Sequence, residues 1–195
     1  MGEPSVQVTF PQKDIDELKL KEDATKCGLL SVTKEKSTVR RTHCCTYSFN
    51  HLTIQEFFAA VALVSNPQEA GRMINNAAGG QLDLVCMFLC GLLDDPRSKE
   101  FLDSLGCQVE MTAERVLQLV IEREKRRARD HTQITLLLLL MIHESRNPNL
   151  WSTAAGYVME DEDGKTLDLS RQHISPVELQ ALTFIFELND FTSLK

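Results

Sequence analysis

Tyr47-Ser48-Phe49-Asn50-His51-Leu52-Thr53-Ile54-Gln55-Glu56-Phe57-Phe58-Ala59-Ala60 decides how this chain is read, because the hydrophobic period changes inside it. From Cys44 to Phe49 the period is two. Cys45, Tyr47 and Phe49 alternate with Thr46 and Ser48, as on a strand buried on one face. From Thr53 the pattern is helical. Thr53-Ile54-Gln55-Glu56 has the form of a capping box, in which the threonine oxygen accepts from a first-turn amide while the glutamate reaches back. Leu52 and Phe57 flank it as a hydrophobic staple would. Between Ile54 and Val64 the helix is apolar almost all round, which predicts burial on most sides. Asn66-Pro67 stops it, and His51 is left at a corner between strand and helix.

Upstream, residues 11–21 predict a short helix with Pro11 in its first turn and Ile15, Leu18 and Leu20 on a rough apolar side. Gly28 to Thr33 reads as a second strand. Lys34 to His43, polar with four cationic residues and one anionic, separates the two strands as an exposed loop. Helix, strand, loop, strand is the order of the closing half of a winged-helix unit.

Downstream, residues 68–159 read as successive helices. Leu82 to Leu93 is a buried one ended by Asp94-Asp95-Pro96, and Arg97 to Leu105 closes at Gly106. Thr112 to Arg127 is amphipathic, with Val116, Leu117, Val120 and Ile121 inward and a charged tail from Glu122 to Arg127. Ile134 to Ser145 and Leu150 to Met159 follow. The apolar run Ile134–Ile142 is nine residues, well short of the roughly 20 that cross a bilayer, so it reads as a buried helix. After an acidic turn at 160–165, Thr166 to Ser170 is a short strand with leucines at alternate positions. Ser175-Pro176-Val177-Glu178 then opens a second capped helix. A leucine-marked strand followed by a capped helix has the form of one leucine-rich repeat unit, which cannot bury its face alone.

Composition narrows the classes further. A hydrophobic share of 43% and a charged share of 25% over 195 residues describe a folded chain able to bury a core. A net charge of −7 weighs against a dedicated nucleic-acid binder. The cysteines at 27, 44, 45, 86, 90 and 107 include no CxxC pair and fit reduced thiols in a cytosolic protein. No secretory signal opens the sequence.

The central stretch resembles the aromatic-x-His-x-x-x-Gln-Glu-Phe-x-Ala-Ala signature of NOD-like receptors, where it marks the end of the winged helix and the start of the next helical domain within the NACHT module. Gly80-Gln81-Leu82-Asp83-Leu84 with Phe88-Leu89-Cys90-Gly91-Leu92 is similar to the family's helical-domain pattern. Leu167-Asp168-Leu169-Ser170 through Ser175-Pro176 to Ala181-Leu182 resembles its first leucine-rich repeats. The three matches keep the family's order and cover the chain. The resemblance implies a winged-helix end over 1–65, a helical domain over 66–165 and a first leucine-rich repeat over 166–195. It also implies a cytoplasmic innate-immunity receptor that is closed with ADP bound and opens to oligomerise and signal. His51 would contact the nucleotide's β-phosphate from the winged-helix side. An imidazole ahead of a helix start can donate to an anion, more strongly when protonated.

The sequence departs from the family in lacking GxxxxGK[ST] and a strand ending in paired acids for magnesium. The expectation is therefore a fragment covering the second half of the module. It would not be an enzyme and would hold no cofactor by itself, with ADP or ATP implied for the complete module. Its partners would be the upstream nucleotide-binding domain, the downstream repeats and proteins that dock on those repeats. No nucleic acid or membrane span is expected.

Other chemistries are weaker. His43, Cys44, Cys45 and His51 could suggest zinc, but adjacent cysteines on a strand are badly placed to share a metal. Cys44 beside Arg40, Arg41 and His43 could be redox-sensitive, though an ordinary strand thiol is the plainer reading. Asp161-Glu162-Asp163-Gly164 resembles part of a calcium loop but has Gln172 where a glutamate is needed. Lys125, Arg126, Arg127 and Arg129 could hold phosphate but read as the solvated end of a helix. Two rivals from other classes are a generic helical protein-interaction adaptor and an enzyme whose site joins distant residues such as Glu56, His131 and His143. The expected fold is mainly α, with a small β-hairpin near the start and one repeat strand near the end.

Overall fold

The computed structural model describes residues 9–17, 25–36, 43–78, 80–127, 131–158, 166–167, 169, 173–188 and 193–194. They are mainly helical, as expected. The chain divides into two compact units, Met1–Phe58 and Ala59–Lys195.

In the first unit, β1 (Thr9–Pro11), β2 (Leu30–Lys36) and β3 (His43–Phe49) form an antiparallel sheet in the order β1-β3-β2. The predicted hairpin is present, with Val32 opposite Tyr47 and Leu30 opposite Phe49. β1 adds a strand that the sequence reading missed, and places Phe10 opposite Tyr47 on the other side. Three residues are too few to show a period, and Pro11 can stand in a sheet because β1 is an edge. The helix α1 (Gln12–Glu17) begins after Pro11 rather than around it, and buries Ile15. Leu18 and Leu20 lie outside the described residues, as do Arg40 and Arg41.

β3 is central, so Tyr47 is enclosed on both sides and is 1% exposed, forming a core with Ile15 and Leu30. Phe10, Cys45 and Phe49 pack against that core. This is the inward face that the alternation predicted. The Phe49 ring also stacks on Phe58 at 6.0 Å.

The helix α2 (Leu52–Val64) starts one residue after His51, whose carbonyl accepts from the amides of Ile54 at 3.1 Å and Gln55 at 3.3 Å. Thr53 therefore lies inside the first turn and is not the cap. Leu52, expected to staple Phe57, is 54% exposed. The geometry of the strand exit sets this helix start, ahead of the local capping preference.

The second unit continues with α3 (Pro67–Asn76), α4 (Asp83–Asp94), α5 (Pro96–Ser104), α6 (Ala113–Arg127), α7 (His131–Ser145), α8 (Leu150–Val158) and α9 (Pro176–Leu188). Asn66-Pro67 and Asp95-Pro96 are starts as well as stops. Asn66 accepts from Glu69 N–H at 3.1 Å and Asp95 from Arg97 N–H at 2.9 Å, each with proline at the first helical position. The predicted box at α9 is reciprocal. Ser175 N–H donates to Glu178 Oε2 at 2.6 Å, and Glu178 N–H donates to Ser175 Oγ at 3.3 Å. Gly106 ends α5 as predicted. With φ at +70° it lets Cys107 N–H reach the Leu102 carbonyl at 3.0 Å and its own N–H reach Asp103 at 3.0 Å, the paired bonds of a Schellman motif.

α4 packs against α6 and α7, α6 against α3 and α8, and α7 against α8 and α9. Leu138, Leu139, Met141 and Ile142 of α7 are essentially unexposed, so its long apolar run is the spine of this core. Beyond it, β4 (Thr166–Leu167) and β5 (Ser193–Leu194) pair in parallel on either side of α9. The acidic turn 160–165 lies outside the described residues.

Candidate functional site

Asn50 fastens the corner that carries His51. Its N–H donates to the Leu29 carbonyl at 3.0 Å, its Nδ2 donates to the Gly28 carbonyl, and its Oδ1 accepts from Ser31 Oγ. These bonds tie the exit of β3 to the entrance of β2. Gly28 can turn there because its φ of +77° is open to glycine. His51 follows immediately, with its carbonyl committed to the first turn of α2 and its side chain exposed. The imidazole thus stands at the positive end of a 13-residue helix, where the helix dipole favours an anion. The sequence reading gave Asn50 no role, although an asparagine between a strand and a helix is a signal for side-chain-to-backbone bonding.

Glu56 is half-buried on α2, and burial pushes its carboxyl above the ordinary range. His143 is buried in the second unit, and the His131 side chain lies outside the described residues. Of the four residues considered for zinc, Cys45 faces the sheet core and His51 faces solvent, while the side chains of His43 and Cys44 are not described. Among the described residues no group of three metal-ligating side chains is assembled.

A second polar constellation lies within the helical unit. Arg123, expected on a solvated tail, is unexposed, and Glu124 is 1% exposed. Arg123 Nη2 donates to Asp83 Oδ1 of α4 at 3.1 Å, and its Nε donates to Glu124 Oε1. The period explains the error. Arg123 and Glu124 continue the stripe of Ala113, Val116, Leu117 and Val120 at helical spacing, so they turn inward despite their charge. Burial opposes the guanidinium charge, but Cys86, Glu124 and Asp83 outweigh it and leave the pKa raised. Cys86 acts only as a thiolate, and burial pushes its own pKa up to about 12, so near neutrality the carboxylates hold the charge. The neighbouring cations behave as surface groups. Lys125 lies 5.8 Å over the Tyr157 ring and Arg126 Nη2 donates to Asn75 Oδ1 at 2.6 Å. Arg129 lies outside the described residues.

A small antiparallel sheet leading to a strand–helix corner, and a body of packed helices with a buried charge network, define a helical-domain protein. The chain belongs to the NLRC4 helical domain HD2 family, whose sequence model matches residues 51–153. It is accordingly part of a NOD-like receptor type of protein. The match opens at His51 and runs into α8. No curated protein matches the chain. Among the described residues no helix is long and apolar enough to cross a membrane.

Proposed function

We propose that this chain is a regulatory and scaffolding segment of a cytosolic innate immune receptor, coupling the nucleotide state at a winged helix to a leucine-rich repeat array. In this reading residues 1–65 close the winged helix, 66–165 form the helical domain and 166–195 begin the repeats. The nucleotide belongs to a domain upstream. This chain contributes one contact to it and is not itself an ATPase.

The observation that carries the reading is the presentation of His51, exposed at the N-terminus of α2 and fixed through Asn50 to the adjacent hairpin. One imidazole at a helix start suits a single phosphate oxygen, and the absence of a phosphate-cradling loop in the sequence leaves the rest of the nucleotide to other residues. Bound ADP would place negative charge there, and this chain would answer with a hydrogen-bond donor and the positive end of α2. Two further features support the neighbouring assignments. The sheet order β1-β3-β2, with a helix between β1 and β2, suits a winged-helix unit. The parallel partners Thr166 and Ser193 stand 27 residues apart with α9 between them, a spacing within the leucine-rich repeat range.

The test is ADP retention by the complete receptor carrying this chain. His51→Ala is expected to speed ADP release by about tenfold or more, the worth of one hydrogen bond to a charged group. The same substitution should leave the thermal unfolding of the present chain unchanged. Unaltered ADP release would remove the nucleotide contact from the reading.

A further inference from the structure

The seam between α7 and α9 contains a titratable group that the proposed function does not use. α9 reaches the helical body through α7 and buries Ala181, Leu182 and Ile185. His143 enters from α7, 4% exposed, with its ring edge-on to Phe184 of α9 at 5.6 Å. Among the described residues neither ring nitrogen has a hydrogen-bond partner. Nδ1 is 3.6 Å from Glu144 Oε1, too far for a good hydrogen bond. On the same Phe184 ring, 5.8 Å from its centre, lies the guanidinium of Arg146. Arg146 is fixed in a left-handed conformation, φ 55°, at the end of α7.

We propose that this seam is a proton-operated latch, in which an uncharged His143 holds α9 to α7 and acidification releases it. A proton on His143 would place a second cation against a ring already shared with Arg146, in a site closed to water. Among the described residues Glu144 is the one nearby countercharge, and its side chain is 43% exposed. The other charged or titratable groups on the packed elements are engaged elsewhere or lie apart. On α4, Asp94 accepts from Asn147 and Asp83 from Arg123, and burial pushes the Cys86 and Cys90 thiols up. Asp95, beside α4, is bound to Arg97, which lowers its pKa with a smaller pull from Arg146. α9 carries Glu178, bound in its capping box, and exposed Glu187. α8 carries Tyr157, and α6 carries Glu114, Arg115, Glu122, Arg123, Glu124, Lys125 and Arg126. Among all these, Arg146 and Glu144 are the ones that act on His143.

Burial, then Arg146, holds the His143 pKa below 6.5, with Glu144 opposing. The open form therefore takes up the proton more readily than the closed form. The latch is complete above pH 6.5 and weakens as the pH falls below it. In the receptor reading, α9 is the first repeat helix, so the latch would join repeats to helical domain; that meaning rests on the reading, but the latch itself does not.

Amide hydrogen exchange of the whole chain at pH 7.5 and 5.5, corrected for intrinsic rates, tests this. Opening of α9 is expected to rise by up to about tenfold per pH unit below the unperturbed histidine value, while α3 and α6 stay protected. His143→Gln should flatten the response. The exposed Arg146→Gln, a milder change, should weaken it by letting the His143 pKa rise. An NMR titration of the wild-type imidazole gives an independent readout should His143→Gln fail to fold. A His143 pKa at or above 6.5, or α9 exchange unaffected by pH, overturns the latch. Neither result bears on ADP retention, so the two proposals fail separately.

Discussion

α6 and α7 both pack on α4, but they grip it by different means. α6 reaches across with charge, through the bond from buried Arg123 to Asp83. α7 comes close because α4 has no side chain at Gly91. A Cβ there would stand 3.4 Å from the Glu144 carbonyl oxygen, at the limit of ordinary contact, so a larger side chain has no room without moving the helices. A charge pair fixes which residues face each other, whereas a missing side chain fixes how near two backbones come. The contrast extends to the polar group each helix buries. Arg123 keeps its charge because carboxylates meet it, while His143 has no such bond among the described residues and burial favours its neutral form.

The largest effect should come from breaking the charged grip. Arg123→Ala leaves Glu124 buried without its cation and should cost about 3–5 kcal/mol, read as a lower urea midpoint. The pair replacement R123M/E124L should recover much of that loss, since apolar side chains of similar volume often replace buried ion pairs without penalty. Failure to recover would mean that the pair contributes more than the cost of burying it.

Breaking the close approach should cost less. Gly91→Leu forces α4 and α7 apart and should destabilise by about 1–3 kcal/mol in the same assay. A chain as stable as the wild type would show that the backbones need not come so near.

The smallest effects separate a contact that is made from one that the sequence only permits. Ser175→Ala removes a formed cap and should cost about 1 kcal/mol. Thr53→Ala, at a motif of the same form, removes no cap and should be neutral or stabilising by about 0.5 kcal/mol from helix propensity. Equal losses in the two variants would restore Thr53 as the helix start.

Patterns that depend on neighbours along the chain were legible in advance. The alternation of Cys45, Tyr47 and Phe49, the stop at Gly106 and the box at Ser175 all follow from local dihedral and hydrogen-bonding preferences. The apolar run in α7 is buried for the same reason. Its period left no polar face to turn outward. What was misread needed a partner from elsewhere. β1 is a strand only because β3 accepts it, and Thr53 lost its cap because Asn50 ties the strand exit to Gly28 and Leu29. His51 was singled out from sequence, but the fastening that presents it lies in residues 19 to 22 positions away from Asn50.

By itself the sequence determined a mainly helical chain, the inward face of the hairpin, the ends of several helices and the motif around His51, because each is written in residues within a turn or a strand of one another. Only the tertiary structure decided that Arg123 and Glu124 are core residues, that His143 faces Phe184, and that β4 and β5 pair across α9. Those outcomes depend on countercharges, rings and strand edges supplied from distant positions, and no local pattern encodes whether such a partner will arrive.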